Sequence, residues 1–185
     1  MAWKIERWSK DVFPGEENVY KKYEGLSPFE LVVMATSIID LALAELLSLR
    51  LRDDPKEYEE FLGLNEDGRA PCGSFGARIQ LAYLVGIITK DDATVFRHLK
   101  RLRNVFAHQT QLDFRDPKIR TIIRNIYDAL AKRIRNEPSY ARKEIDFFPS
   151  YFRDHVHCSD AILFTLLGIY QLHLKGIMEQ LKRVG

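Results

Sequence analysis

Side chains that could do acid–base or phosphate chemistry are concentrated between residues 97 and 108. If this stretch is helical, Arg97, Arg101, Asn104 and His108 fall within about 60° of one another on the helical wheel. Arg103 falls on the border of this face. Four apolar residues form a stripe on the opposite side: Val95, Leu99, Leu102 and Phe106. The pattern predicts a helix with one buried side and one polar side that presents two guanidinium groups, an amide and an imidazole.

These side chains suit the cleavage of RNA without a metal ion. The ribose 2′-hydroxyl must lose a proton to attack the neighbouring phosphate, and the leaving 5′-oxygen must gain one. Histidine as a residue type can give or take a proton near neutral pH, so His108 is a candidate for either transfer. A guanidinium such as that of Arg103 can bind the negative charge that develops on the phosphate. Asn104 lies four residues before His108, where its amide could orient the imidazole or bind a phosphate oxygen.

One histidine cannot serve as acid and base in the same step, so a symmetric dimer that brings two copies of the helix together would supply both groups. The candidate catalytic residues are therefore Arg103, Asn104 and His108, and the candidate nucleic-acid-binding residues are Arg97, Lys100 and Arg101. The alternative interpretation is structural, because an Arg, Asn or His near a helix end can cap carbonyl groups or line a solvated surface.

Charge is distributed unevenly along the 185 residues, although the formal net charge is only +2. Residues 1–96 carry 11 Lys/Arg against 17 Asp/Glu, a balance of −6. Residues 97–143 carry 13 against 4, a balance of +9, and residues 144–185 carry 4 against 5. Segregation of this size indicates a basic face for a polyanionic partner such as RNA. A solvated helix surface rich in lysine and arginine would give the same count.

Helix start and stop signals divide most of the chain into helical segments. Ser27-Pro28-Phe29-Glu30 combines a serine cap, a proline in the first turn and a glutamate three residues after the cap, and it predicts a central apolar helix to about Arg52. Further starts are predicted at Asp53-Asp54-Pro55, Ser74, Lys90-Asp91-Asp92, Asp116-Pro117, and Ser159 or Asp160. No segment alternates apolar and polar residues in the manner of a strand.

The expected fold is therefore all-α, an up-and-down helical bundle of about five main helices in a single domain spanning residues 1–185. Residues 1–26 are expected to form an N-terminal arm and residues 27–136 the core. Residues 137–185 are expected to form a loop and a long C-terminal helix. No signal peptide is recognisable, and the uncharged stretch 161–174 is too short to cross a bilayer. We therefore expect a cytoplasmic protein with no membrane association, whose Cys72 and Cys158 are reduced thiols.

Two resemblances arise at these residues. Arg103 and His108 resemble the RxxxxH signature of the HEPN superfamily (higher eukaryotes and prokaryotes nucleotide-binding). Its members are helical bundles, usually dimeric, and many are metal-independent endoribonucleases in which the Arg and His of two protomers meet at the dimer interface. Residues 73–88 and 102–108, with Asp40 in the apolar segment 38–43, resemble the mannitol operon repressor-like family and its pattern GxFSxRIxLAxxLGLI…IRNxFAH.

The second resemblance covers roughly residues 27–130 and is more specific than RxxxxH alone. Gly76 stands where that family has Ser and Val85 where it has Leu, and nothing from about residue 137 onward matches. The HEPN resemblance implies a homodimer that binds and cleaves RNA. The repressor-like resemblance implies a transcriptional regulator, which would act through a protein partner because the chain carries no DNA-reading motif. A regulator or an antitoxin is thus a possible protein partner in either case.

Two further groups of residues carry buried charge or metal-ligand side chains. Asp40 and Arg78 each lie in an apolar segment, and buried charges are tolerated when paired. We therefore predict that they form a buried structural pair, or that each has another buried partner, and that neither takes part in catalysis. Residues 154–158 contain metal-ligand types, but their spacing fits no zinc pattern, so no metal site is expected. The sequence has no phosphate loop or dinucleotide fingerprint, and no cofactor is expected.

Overall fold

In the computed structural model the described residues are 26–51, 54–64, 69–109 and 114–136, together with Leu174 and Ile177. Five helices span these ranges and none of the described residues forms a strand, which confirms the all-α prediction. The helices are α1 (Pro28–Ser48), α2 (Pro55–Leu62), α3 (Phe75–Leu84), α4 (Lys90–His108) and α5 (Pro117–Asn136).

The start of α1 is the capping box that the sequence predicts. The Glu30 amide donates to Ser27 Oγ at 3.3 Å, and the Ser27 amide donates to Glu30 Oε2 at 2.8 Å. The helix ends at Ser48, before the predicted end near Arg52. The Ser48 hydroxyl donates to the Glu45 carbonyl at 2.7 Å, and the Leu49 amide shares that acceptor. Beyond Ser48 the backbone changes to a three-residue hydrogen bond, in which the Arg50 amide donates to the Leu47 carbonyl at 2.9 Å.

Among the described helices, α1 is the one that is long and apolar enough to cross a membrane by length and composition. In this structure 61% of its most apolar window is buried inside the protein. Val32, Ile39 and Leu43 are fully buried, and α1 packs against both α3 and α4. The apolar side chains of α1 therefore form part of the core of the helical bundle.

The shorter helices also have the capping residues that the sequence predicts. Asp54 caps α2, and Ser74 caps α3 through a hydrogen bond from the Ala77 amide at 3.2 Å. Gly63 follows α2 with a φ of 67°, and Gly86 follows α3 with a φ of 75°. Both glycines adopt the left-handed conformation that ends helices, which residues with a side chain rarely adopt.

Helices α4 and α5 form an antiparallel pair. A capping box between Thr89 and Asp92 opens α4, and the Asp116 carboxylate accepts from the Lys118 amide at 2.8 Å where α5 begins. Lys132 Nζ lies 3.1 Å from Asp91 Oδ1, so the last part of α5 lies beside the first turn of α4. The beginning of α5 therefore lies beside the end of α4, where His108 is located.

The predicted apolar stripe of α4 is confirmed as part of the core. Its residues are at most 2% exposed: Val95, Leu99, Leu102 and Phe106. The Phe106 ring meets that of Phe114, in the connection to α5, edge to face with centroids 5.8 Å apart. Such a pair adds to the stability from burial alone. It fixes the end of α4 against the segment that leads into α5.

The prediction that Asp40 and Arg78 meet is confirmed. Arg78 Nη1 lies 2.7 Å from Asp40 Oδ1, and Arg78 also donates to the Leu62 carbonyl at 2.6 Å and to the Cys72 carbonyl at 3.2 Å. One guanidinium therefore joins α1, the end of α2 and the segment before α3. Burial raises the pKa of Asp40, although the charges of Arg78 and Arg103 act in the opposite direction.

The predictions for the two ends of the chain lie largely outside the described residues. These are the N-terminal arm (1–26, of which only Leu26 is described) and the C-terminal loop and helix (137–185). Within the second segment, Leu174 and Ile177 are helical, and Leu174 is fully buried against the core. Residues 154–158, where the sequence predicts no metal site, also lie outside the described residues.

Candidate nucleic-acid interface

The packing of α4 fixes which of its side chains face outward. Because Leu99, Leu102 and Phe106 are buried, the residues on the opposite side of the helix must face away from the core. The four residues that the sequence places on that side are all exposed: Arg97, Arg101, Asn104 and His108. The wheel therefore predicts the accessible face of α4 correctly.

These side chains line a cavity of about 450 Å³, which we call the α4 cavity. Four of its lining residues are cationic: Arg97, Lys100, Arg101 and Lys118. His108 adds an imidazole, Asn104 and Gln109 add amides, and Val105 adds an apolar patch. None of the described lining residues is acidic. The α4 cavity should therefore favour ligands with negative charge.

Five of the six candidate site residues on α4 are brought together in this cavity. They are Arg97, Lys100, Arg101, Asn104 and His108. The sixth, Arg103, does not line it. Arg103 is half-buried, and its positive charge contributes to the pKa of the Asp40 carboxyl on α1. Within one chain, Arg103 thus lies toward α1, and His108 lies in the α4 cavity.

Three lining residues were not recognised from the sequence: Val105, Gln109 and Lys118. Gln109 caps the end of α4, and Lys118 reaches the cavity from the first turn of α5. Lys118 approaches His108 because α4 and α5 are antiparallel and their connection is short. The helical wheel of α4 alone cannot identify Lys118. An antiparallel pairing of α4 with α5 does, because it places the first turn of α5 beside the end of α4.

His98 does not line the α4 cavity, but its pKa is affected by a residue that does. It is half-buried, three residues before Arg101. Burial, followed by the charge of Arg101, lowers the pKa of His98 below its ordinary value of 6.5. The charge of Arg101, which lines the cavity, therefore also acts on His98, which does not.

The geometry of the α4 cavity suits anion binding along a line. Arg97 and Arg101 are one helical turn apart, and His108 lies about 10 Å further along the helix axis at about 1.5 Å per residue. Guanidinium groups bind phosphate oxygens in pairs, and exposed amides can accept or donate to a base or a sugar. Among the described residues, no group of three His, Cys, Asp or Glu side chains could hold a metal ion.

Comparisons with protein-family models, with characterised proteins and with solved structures give no match to this chain. The resemblances to the HEPN superfamily and to the mannitol operon repressor-like family therefore remain sequence predictions.

Proposed function

We propose that this chain binds RNA through the α4 cavity and acts as a metal-independent endoribonuclease of the HEPN type. The observation that carries the proposal is the convergence of four cationic side chains, two amides and an imidazole on one cavity with no acidic residue among its described lining residues. RNA affinity depends mainly on neutralising backbone phosphates. An imidazole within that row would be close to the phosphates that the arginines hold.

Cleavage requires a second acid–base group, since His108 alone cannot be both acid and base, and His108 of a second chain would supply it. We propose a two-fold dimer that brings the two α4 helices together, so that Arg103 of one chain meets His108 of the other, as the HEPN resemblance implies. Helix geometry supports this pairing, because residues five apart on a helix point about 140° away from each other, so Arg103 and His108 of the same chain diverge.

RNA binding is tested by the salt dependence of affinity for a single-stranded RNA. The slope of log K against log salt should be about −0.7 per phosphate contact, because each contact releases a counterion. Arg97→Ala/Arg101→Ala should flatten the slope by one to two such contacts. The matched control is Arg120→Ala/Arg124→Ala. It removes an exposed arginine pair with the same four-residue spacing from α5, outside the cavity.

If the two double variants gave equal slopes, RNA binding would depend on the total positive charge of the protein. The α4 cavity would then have no special part in it. Wild-type protein that does not bind RNA at low salt would refute the proposal. A transcriptional regulator of the mannitol operon repressor-like kind would then become the leading candidate, and a pull-down should return its protein partner.

Catalysis is tested by incubating the protein with single-stranded RNA in EDTA and analysing the ends of the products. Metal-independent cleavage through the 2′-hydroxyl leaves 2′,3′-cyclic phosphate ends. His108→Ala should lower the rate by roughly 10²–10⁴, the usual contribution of general acid–base catalysis. His98→Gln, on the same helix but outside the cavity, should cleave at the wild-type rate. Equal rates for wild type and His108→Ala would rule out the catalytic assignment.

The two-chain site is tested by mixing wild-type chains with an equal amount of His108→Ala chains. Random exchange makes about one quarter of the dimers wild type and about half of them heterodimers with one His108. If cleavage needs His108 from both chains, only the wild-type dimers cleave, and the mixture should retain about one quarter of the wild-type rate. If each chain cleaved on its own, about half of the wild-type rate would remain.

A further inference from the structure

The end of the Lys100 side chain occupies the space beside Gly76, in the first turn of α3. A β-carbon on Gly76 would lie 3.2 Å from Lys100 Cε and 3.5 Å from Cδ, and it would overlap Nζ. Any residue other than glycine at position 76 would therefore displace the Lys100 ammonium group.

The backbone gives no reason for a glycine at this position. The described glycines with positive φ are Gly63 and Gly86, and Gly76 has ordinary helical geometry within α3. A glycine inside a helix costs about 0.5–1 kcal/mol relative to alanine. What distinguishes position 76 is the lysine side chain that passes over it.

Lys100 connects this contact to the α4 cavity, which it lines. It approaches the cavity from the side of α4 that packs on α3, whereas Lys118 approaches from α5. The two ammonium groups therefore flank the row formed by Arg97 and Arg101. A phosphate backbone that follows the arginines would have a positive charge on each side.

We propose that Gly76 is a positioning residue for the anion-binding cavity: by lacking a side chain, it holds the Lys100 ammonium at the α3 edge of the RNA site. The inference rests on the proposed RNA binding. It assigns to Gly76 an effect on affinity that acts entirely through Lys100, since Gly76 itself does not line the cavity.

The experiment is a double-mutant cycle on RNA affinity at low salt. Gly76→Ala and Lys100→Ala should each weaken binding roughly two- to fivefold, the range expected for one exposed charge contact. Each should also flatten the salt slope by about 0.7. The combined variant should bind no more weakly than Lys100→Ala, because the two changes remove the same contact. Lys90→Ala, an exposed lysine at the start of α4 outside the cavity, should bind like wild type.

A second measurement needs no RNA. The rate at which the Lys100 amine is acylated, followed by mass spectrometry, should change in Gly76→Ala, and the rate for Lys90 should not. Gly76→Ala should melt at or above the wild-type temperature, because the displaced group is the flexible end of a lysine and alanine favours the helix. A lower melting temperature would overturn the inference.

The cycle distinguishes failure of this inference from failure of the proposed function. If wild type binds RNA and Lys100→Ala weakens it, but Gly76→Ala binds like wild type, the role of Gly76 is refuted and RNA binding stands. Effects of Gly76→Ala and Lys100→Ala that multiply in the combined variant would also refute it. If wild type does not bind RNA, the proposed function fails, and the role of Gly76 in it fails as well.

Discussion

Replacing Arg78 by alanine should destabilise the protein more than any change on the exposed face of α4. Arg78 is only 7% exposed, and its guanidinium donates to Asp40, to the Leu62 carbonyl and to the Cys72 carbonyl. These three acceptors belong to α1, α2 and the segment before α3. The substitution therefore releases three parts of the bundle from one another and leaves the Asp40 carboxylate without its partner.

The magnitude follows from the burial of the pair. Three hydrogen bonds from a charged donor, each worth about 1.5–3 kcal/mol, would approach the whole stability of a domain if they were additive. Removing one partner of a buried ion pair costs about 3–5 kcal/mol, which is the better guide. We expect the lower half of that range, because the Asp40 side chain is 17% exposed and water can partly solvate it. Its pKa is also already raised by burial, which eases protonation.

The assay is urea denaturation followed by circular dichroism. With a slope of roughly 2 kcal/mol per molar urea, a loss of about 3–4 kcal/mol lowers the unfolding midpoint by about 1.5–2 M. Arg78→Lys should lose about half as much, because one ammonium can reach Asp40 but cannot serve all three acceptors. Arg97→Ala, an exposed arginine on α4, is the control and should stay within about 0.5 kcal/mol of wild type. An Arg78→Ala midpoint equal to that of Arg97→Ala would refute the reasoning.

Two further predictions concern the surroundings of the cavity. Lys118→Ala should flatten the salt slope of RNA binding by about 0.7, and Lys56→Ala, an exposed lysine on α2, should leave the slope unchanged. Burial and Arg101 lower the pKa of His98 in the folded protein. As the pH falls below 6.5, the ordinary pKa of histidine, His98 therefore binds a proton more readily in the unfolded chain than in the folded one. Stability from this residue is therefore complete above pH 6.5 and is lost as the pH falls through the folded pKa. The melting temperature of His98→Gln should then fall less than that of wild type between about pH 7.5 and about pH 5; an identical fall in both would contradict this.

The helix boundaries could be predicted where a local signal sets them. Ser27 with Glu30, Asp54, Ser74 and Gly86 each act through hydrogen bonds or backbone conformation within a few residues, and all were recognised from sequence. The end of α1 is the exception, because the apolar residues Leu49 and Leu51 continue the pattern beyond Ser48 and the sequence there has no glycine or proline to end the helix.

Only those residues of the candidate site that lie on α4 could be predicted from the sequence. The wheel of α4 gave the exposed row from Arg97 to His108, because the period of a helix relates residues within that helix. Lys118 could not be found in this way, since it reaches the cavity through the packing of α5. The contact between Gly76 and Lys100 likewise depends on how closely α3 approaches α4, a distance that no pattern in a single segment encodes.

The position of Arg103 determines how the arginine and the histidine of the RxxxxH spacing can act together. A spacing of five residues turns a helix by about 500°, so the side chains at 103 and 108 leave it about 140° apart. In this structure Arg103 is half-buried toward Asp40, and His108 is exposed in the α4 cavity with Arg97 and Arg101. A single chain therefore has arginines enough beside His108 to bind a phosphate without Arg103. If cleavage takes place between two chains, Arg103→Ala should lose RNA cleavage while its RNA affinity stays near that of wild type. Equal cleavage rates for Arg103→Ala and wild type would contradict the two-chain site.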